Sequence, residues 1–122
     1  MKTIDVPMYS CWYSVIKHGG TYTGFGRHQV TGDWTVRHPL NVVTLDEEFN
    51  VKTTNQMPVL GEDPRTFYHG GDLYVVNNFV HNVQLINYDK QTILPVRLPY
   101  KNFSWISHEG KLYAIYTMVP LR

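Results

Sequence analysis

Hydrophobic residues occur along this chain in short runs rich in Val, Ile, Tyr and Thr, which is typical of β-strands. The runs include CWYSVI, TYTGFG, NVVTLD, DLYVVNN, NVQLINYD and LYAIYTMV. Turn signals separate them, among them HGG at 18–20, HGGD at 69–72 and HEGK at 108–111. No stretch combines a helix cap with a 3.6-residue period. The pattern predicts an all-β chain of consecutive antiparallel hairpins.

Three of these hairpins resemble one another. The copies are SVIKHGGTYTGFG at 14–26, FYHGGDLYVV at 67–76 and WISHEGKLYAIY at 105–116. Tyr74 matches Tyr113 at a spacing of 39 residues, and Tyr22 matches Tyr74 if the first turn is one residue shorter. A unit of about 40 residues with four short strands is typical of a β-propeller blade. The alternative is a series of unrelated hairpins in a β-sandwich.

The repeat predicts the organisation of the whole chain. We expect one partial propeller domain, 1–122, built from antiparallel four-stranded sheets, with blade-like units at about 9–50, 51–99 and 100–122. Antiparallel hairpins at 12–27, 66–77 and 104–117 should stack face to face around an axis.

Composition narrows the classes of function. The chain has 122 residues, of which 43% are apolar and 17% charged, and a net charge of +1. Acidic and basic residues are mixed, so we expect neither nucleic acid nor membrane as a partner. The single Cys11 can form no internal disulfide, and MKTIDVPMYS contains no signal-peptide core. These features favour a soluble, intracellular protein.

No cofactor or metal is expected. Six histidines are present, but His18, His69 and His108 lie at matching turns of different repeats, where they cannot converge on one ion.

The stretch GEDPRTFYHGGDLYVV at 61–76 gathers three charged residues, Glu62, Asp63 and Arg65, in front of a strand. Pro64 restricts Asp63 to an extended conformation and suits the start of a strand. The simplest interpretation is that Asp63 caps a turn while Glu62 and Arg65 form a solvated ion pair.

A second interpretation follows from the repeat. Asp63 aligns with Asn102, and in the first copy with Cys11 or Trp12. The first strand of a propeller blade is innermost, and its entry end opens on the central funnel. Asp63, Asn102 and Trp12 are then expected to converge on one pocket. A carboxylate, an amide and an aromatic face suit a sugar ligand.

The segment GEDPRTFYHGGDLYVV resembles the Glu-Asp-Pro-Arg motif of the five-bladed β-propeller enzymes of glycoside hydrolase family 130 and related mannosyltransferase and phosphorylase proteins. YKNFSWISHEGKLYAIYTMVPLR is similar to their next-blade segment, Lys-Asn-Trp-Ser-Pro followed by Leu-Tyr-Phe-Val-Tyr-Ser, and NVVTLDEEFNV is similar to their outer strand. The resemblance covers about residues 40 to 122.

This resemblance implies an activity on mannose-type glycosides, with Asp63 as the general acid that protonates the glycosidic oxygen. Arg65 would hold a sugar hydroxyl or orient Asp63, with Glu62 beside it. Lys101 and Asn102 would line the pocket from the next blade.

The sequence also departs from the family. YSCWYS at 9–14 lacks the expected first-blade start, Phe103 and Trp105 replace Trp and Pro, and the phosphate-binding residues of later blades have no counterpart. The chain holds about two and a half blades of five. It is therefore a fragment, a half-propeller completed by self-association or a partner chain, or a derivative that kept the fold and lost the chemistry. The alternative function is a non-catalytic glycan-binding or structural subunit of a larger assembly.

Overall fold

The computed structural model describes residues 10–28, 38–61, 63–78, 82–97 and 103–116. These residues form β-strands and turns and contain no helix. The strands are β1 Ser10–His18, β2 Thr21–His28, β3 His38–Leu45, β4 Val51–Gly61, β5 Asp63–His69, β6 Asp72–Asn78, β7 Asn82–Asn87, β8 Thr92–Arg97, β9 Phe103–His108 and β10 Lys111–Tyr116. The predicted all-β class is confirmed.

Consecutive strands pair in three separate sheets. Two sheets have four strands each, in the orders β1-β2-β3-β4 and β5-β6-β7-β8, and β9 pairs with β10 alone. The pairing is antiparallel, as the turn signals predict. The first sheet extends to Gly61, beyond the boundary at residue 50 that we expected, because β4 pairs with β3.

The chain divides into two compact units, Met1–Thr66 and Phe67–Arg122. In the first unit the central strands β2 and β3 bury consecutive residues on both faces, whereas the edge strand β4 is largely exposed. The buried apolar side chains of the first unit are Phe25, Leu40, Val42, Val43, Leu45 and Met57.

The three predicted hairpins close through turns of the same length and conformation. In each of these three hairpins the first strand ends in histidine, and two residues with positive φ follow it, as in a type I′ turn. The φ values are 58° and 80° at Gly19 and Gly20, 61° and 83° at Gly70 and Gly71, and 50° and 76° at Glu109 and Gly110.

Equal turn lengths correct one part of the predicted repeat. Tyr74 and Tyr113 are each the third residue after their turn, whereas Tyr22 is the second. Alternate residues of a strand point to opposite faces, so the residue that matches Tyr74 in the first copy is Thr23, which is buried. The shorter first turn that we predicted is therefore wrong.

The second unit has an aromatic core. The ring of Phe67 on β5 is nearly parallel to that of Tyr74 on β6, with centroids 5.3 Å apart, and to that of Trp105 on β9, with centroids 6.0 Å apart. Phe67 belongs to a buried cluster with Val76, Val83 and Leu85. Trp105 and Leu112 pack against this cluster. The β9–β10 hairpin thus covers one face of the sheet β5-β6-β7-β8.

The turn between β7 and β8 holds the start of β6. Asn87 Nδ2 donates to Asp72 Oδ2 at 2.9 Å, and Lys90 Nζ lies 3.4 Å from the same oxygen. The backbone N–H of Leu73 donates to Asp89 Oδ2 at 2.8 Å. The hydrogen bond from Asn87, together with Lys90 and against some desolvation, lowers the pKa of the Asp72 carboxyl.

We expect Gly70→Ala to destabilise the protein by about 1–2 kcal/mol, because a Cβ at positive φ is strained. No atom lies within 4 Å of the added Cβ, so the cost comes from the backbone alone. Glu109→Ala is the matched control, since Glu109 holds the same turn position and already carries a Cβ. Urea unfolding measures both. Equal losses in the two variants would contradict the turn assignment.

We expect stability to depend on acid pH through Asp72. Because its pKa is lowered in the folded state, the Asp72 carboxylate adds to the free energy of unfolding. This contribution is complete above the unfolded aspartate pKa of about 3.9 and disappears as pH falls through the folded pKa. The difference in unfolding free energy between wild type and Asp72→Asn should therefore shrink between about pH 5 and pH 2. The control Glu47→Gln removes an exposed carboxylate elsewhere. A difference for Asp72→Asn that stays constant over this range would refute the coupling.

Candidate functional site

The charged stretch of the sequence begins β5. Asp63 is the first residue of this strand, Pro64 is buried, and Arg65 is exposed. Arg65 Nη2 donates to Asp63 Oδ2 at 3.2 Å. The two side chains keep 27% (Asp63) and 47% (Arg65) of their surface exposed, so water and a ligand can both reach the pair.

Strand geometry explains this pair. Residues two apart in a strand project from the same face, so Asp63 and Arg65 lie side by side while Pro64 points to the other face. Arg65 thus donates its hydrogen bond to the Asp63 carboxylate along the same face of the strand. Ion pairs this exposed add little stability, and so the pair is better understood as a polar surface than as a structural bond.

The other predicted site residues are only partly described. Trp12 lies in β1, six residues before His18, just as Asp63 lies six residues before His69. A β-bulge between Cys11 and Ser14 inserts an extra residue into β1. The choice between Cys11 and Trp12 depended on where the predicted one-residue deletion was placed.

Glu62, Lys101 and Asn102 lie outside the described residues. The convergence of Asp63 with Asn102 and Trp12 stays a prediction.

A second polar cluster in the first unit is not among the predicted site residues. Asn41 of β3 is completely buried. Its Nδ2 donates to His28 Nδ1 at 3.1 Å, and its Oδ1 accepts a hydrogen bond from Gln56 Nε2 at 3.2 Å. In this arrangement His28 Nδ1 is the acceptor, so that the neutral imidazole carries its proton on Nε2.

His38 extends this cluster. Its ring meets that of His28 edge-on, with centroids 5.2 Å apart. The Nε2 atom of His38 is buried and makes no hydrogen bond in the part of the chain that the structure describes. We call His28, His38, Asn41 and Gln56 the histidine cluster.

The histidine cluster lies at the end of the first sheet from which β5 departs. His38 pairs with Gly61, the last residue of β4, and Asp63 follows two residues later. The polar Asn41 inside the apolar run PLNVV is the sequence signal that could have revealed this buried polar cluster.

A histidine also lies at the interface within the second unit. His69 Nδ1 and Ser107 Oγ are 2.7 Å apart, which ties the end of β5 to β9.

The described residues support neither a metal site nor a membrane-spanning helix. They contain no group of three His, Cys, Asp or Glu side chains that could hold a metal ion. Nor do they include a helix of the length and apolarity that crossing a membrane requires.

A scan against protein-family models finds no match, and searches of curated proteins and of solved structures find no similar chain. The resemblance to glycoside hydrolase family 130 therefore rests on the sequence motifs alone.

We expect Asn41→Ala to destabilise the protein by about 1–3 kcal/mol, because it removes a completely buried amide that hydrogen-bonds to both His28 and Gln56. Asn55→Ala, at an exposed position of β4, is the control and should change stability by less than about 0.5 kcal/mol. Thermal or urea unfolding measures both. A loss for Asn41→Ala as small as that of the control would show that this network does not form.

Proposed function

We propose that this chain is a β-propeller-derived module that binds mannose-type glycosides at the end of the sheet where Asp63 begins β5. The observation that carries the proposal is the hydrogen-bonded Asp63–Arg65 pair at the start of the first strand of a four-stranded antiparallel sheet.

The chemistry of the pair suits a sugar. A carboxylate accepts hydrogen bonds from hydroxyl groups and a guanidinium donates to hydroxyl oxygens, so the two together can hold neighbouring hydroxyls of a pyranose ring. The pair is part-exposed and restrained by its own hydrogen bond. A restrained site binds with a smaller loss of conformational entropy than a mobile one.

Two features support the propeller part of the proposal. Each four-stranded sheet is a meander in which consecutive strands are neighbours, as in a blade. In the second unit, the next hairpin packs face to face on the preceding sheet through Trp105 and Leu112. Face-to-face packing of successive repeats is how blades assemble.

A catalytic version of the function makes a stricter demand on Asp63. A general acid must give a proton to the glycosidic oxygen, whereas Asp63 Oδ2 is already engaged in a hydrogen bond from Arg65. Cleavage also needs a second carboxylate or a bound phosphate across the sugar ring. The geometry of the described residues therefore favours binding, and glycoside cleavage with Asp63 as the acid is the second candidate.

Binding can be tested by titrating the protein with methyl mannoside and mannobiose while recording backbone amide NMR spectra. We expect shifts around Asp63 and Arg65. Asp63→Asn and Arg65→Gln should each weaken binding at least about tenfold, because each removes a charge-assisted hydrogen bond. The matched controls Glu47→Gln and Lys52→Gln remove exposed charges elsewhere in the first unit and should leave affinity unchanged.

The same variants separate the two candidates. If the protein turns over aryl mannosides, with or without phosphate, and Asp63→Asn lowers the rate about 10²–10⁴-fold, Asp63 is the acid. If the protein binds mannosides but does not turn them over, the module is a binding module and not an enzyme. If neither sugar shifts any amide near Asp63, or if the controls weaken binding as much as the site variants, the proposed function is wrong.

A further inference from the structure

The β9–β10 hairpin has an apolar face that is open to solvent. Ile106, Tyr113 and Ile115 are exposed to 46%, 46% and 45%. Ile106 and Tyr113 are direct cross-strand partners, and Ile115 lies two residues further along β10, so the three side chains share one face. We call Ile106, Tyr113 and Ile115 the terminal face.

The same surface is covered in the preceding repeat. The residues 39 positions before the terminal face are Phe67, Tyr74 and Val76. Phe67 and Val76 are buried at 9% and 0% exposure, and Tyr74 packs against them. One repeat thus buries this surface and the next repeat leaves it open.

The side chains of β9–β10 that cover the preceding sheet have counterparts in the first hairpin of the chain. Trp105 and Leu112 lie 90 residues after Val15 and Tyr22, the same spacing that separates His108 from His18. Val15 is 49% exposed, and Lys17 two residues further along β1 is exposed as well. We call Val15, Lys17 and Tyr22 the leading face.

Oppositely charged residues lie at or beside these two faces. In the second unit His69 contacts Ser107, and these two residues correspond to His108 and Lys17. Beside His108, at 3.6 Å, lies Glu109, whose side chain is 83% exposed. A leading face docked in the same way would therefore bring Lys17 close to the Glu109 carboxylate.

We propose that the terminal face of one copy of this chain packs against the leading face of a second copy. This contact repeats between molecules the interface that β9–β10 already makes with the sheet β5-β6-β7-β8. It joins two different surfaces, so the association is head-to-tail, and a closed assembly uses every such surface.

Sedimentation equilibrium over a range of protein concentrations tests the association. We expect wild-type protein to exceed the monomer mass of 14.2 kDa. Ile106→Lys and Val15→Glu should each raise the dissociation constant at least about tenfold, because each places a charge in an apolar contact. Ile93→Ser is the control at a residue of the same type and with the same exposure, 46%, on the edge strand β8. It should associate as wild type does.

Mixing the two charged variants tests the head-to-tail geometry. One of the two contacts then joins opposite charges and the other joins two native faces, so an equimolar mixture of Ile106→Lys and Val15→Glu should recover most of the association. Circular dichroism of each variant verifies that the strands are intact, and Tyr113→Ser provides a second test of the terminal face if Ile106→Lys unfolds.

Three outcomes overturn the proposal. In the first, the wild type remains at 14.2 kDa at every concentration, and some other partner covers the terminal face. In the second, Ile93→Ser weakens association as much as the terminal-face variants. In the third, folded variants dissociate but their mixture does not recover, as expected if identical faces meet. None of these results depends on sugar binding, so they neither support nor contradict the proposal that the chain binds glycans.

Discussion

A turn of two residues, both in the left-handed conformation, sets the register of each repeated hairpin. A strand alternates its side chains between two faces, and a turn longer or shorter by one residue would exchange those faces. Because all three turns have the same length, residues at equal distances from the turn face the same way in every copy. The stacking of Trp105 on Phe67 and the exposure of Ile106 both depend on this register.

The polar residues of the first unit are placed by the same alternation. Asp63 and Arg65 meet because they are two residues apart. Asn41 and Gln56 meet because β3 and β4 pair them directly, and Asn41 then presents its amide nitrogen to His28. A carboxylate held by a guanidinium and a buried amide held between two strands both give fixed hydrogen-bonding directions.

Local patterns predicted the strands and turns well. Val, Ile and Tyr runs and the three His-X-Gly turns identified the hairpins, because strand propensity and type I′ turn chemistry are local properties. The exact register was harder. Tyr22 suggested a shorter first turn, and only the backbone shows that Thr23 takes the matching place. The β-bulge near Cys11 could not be seen either, because no residue type marks it.

Features that depend on contacts between distant residues could not be predicted from the sequence. The assignment of β4 to the first sheet depends on pairing between distant residues, and the repeat spacing alone suggested an earlier boundary. The histidine cluster could not be predicted, because His28 and His38 lie at strand ends and become neighbours only through the pairing of β2 with β3. The Asp63–Arg65 contact, by contrast, follows from spacing in a strand, and so the sequence could anticipate it.

Nuclear Overhauser contacts between the rings of Phe67 and Trp105 measure whether successive repeats stack through equivalent faces. If they do, strong cross-peaks connect these two rings, and others connect the Leu112 methyls with Val76. A Trp105 ring without contacts to Phe67, with an indole fully exposed to solvent, would rule out this stacking, because the β9–β10 hairpin would then not cover the preceding sheet.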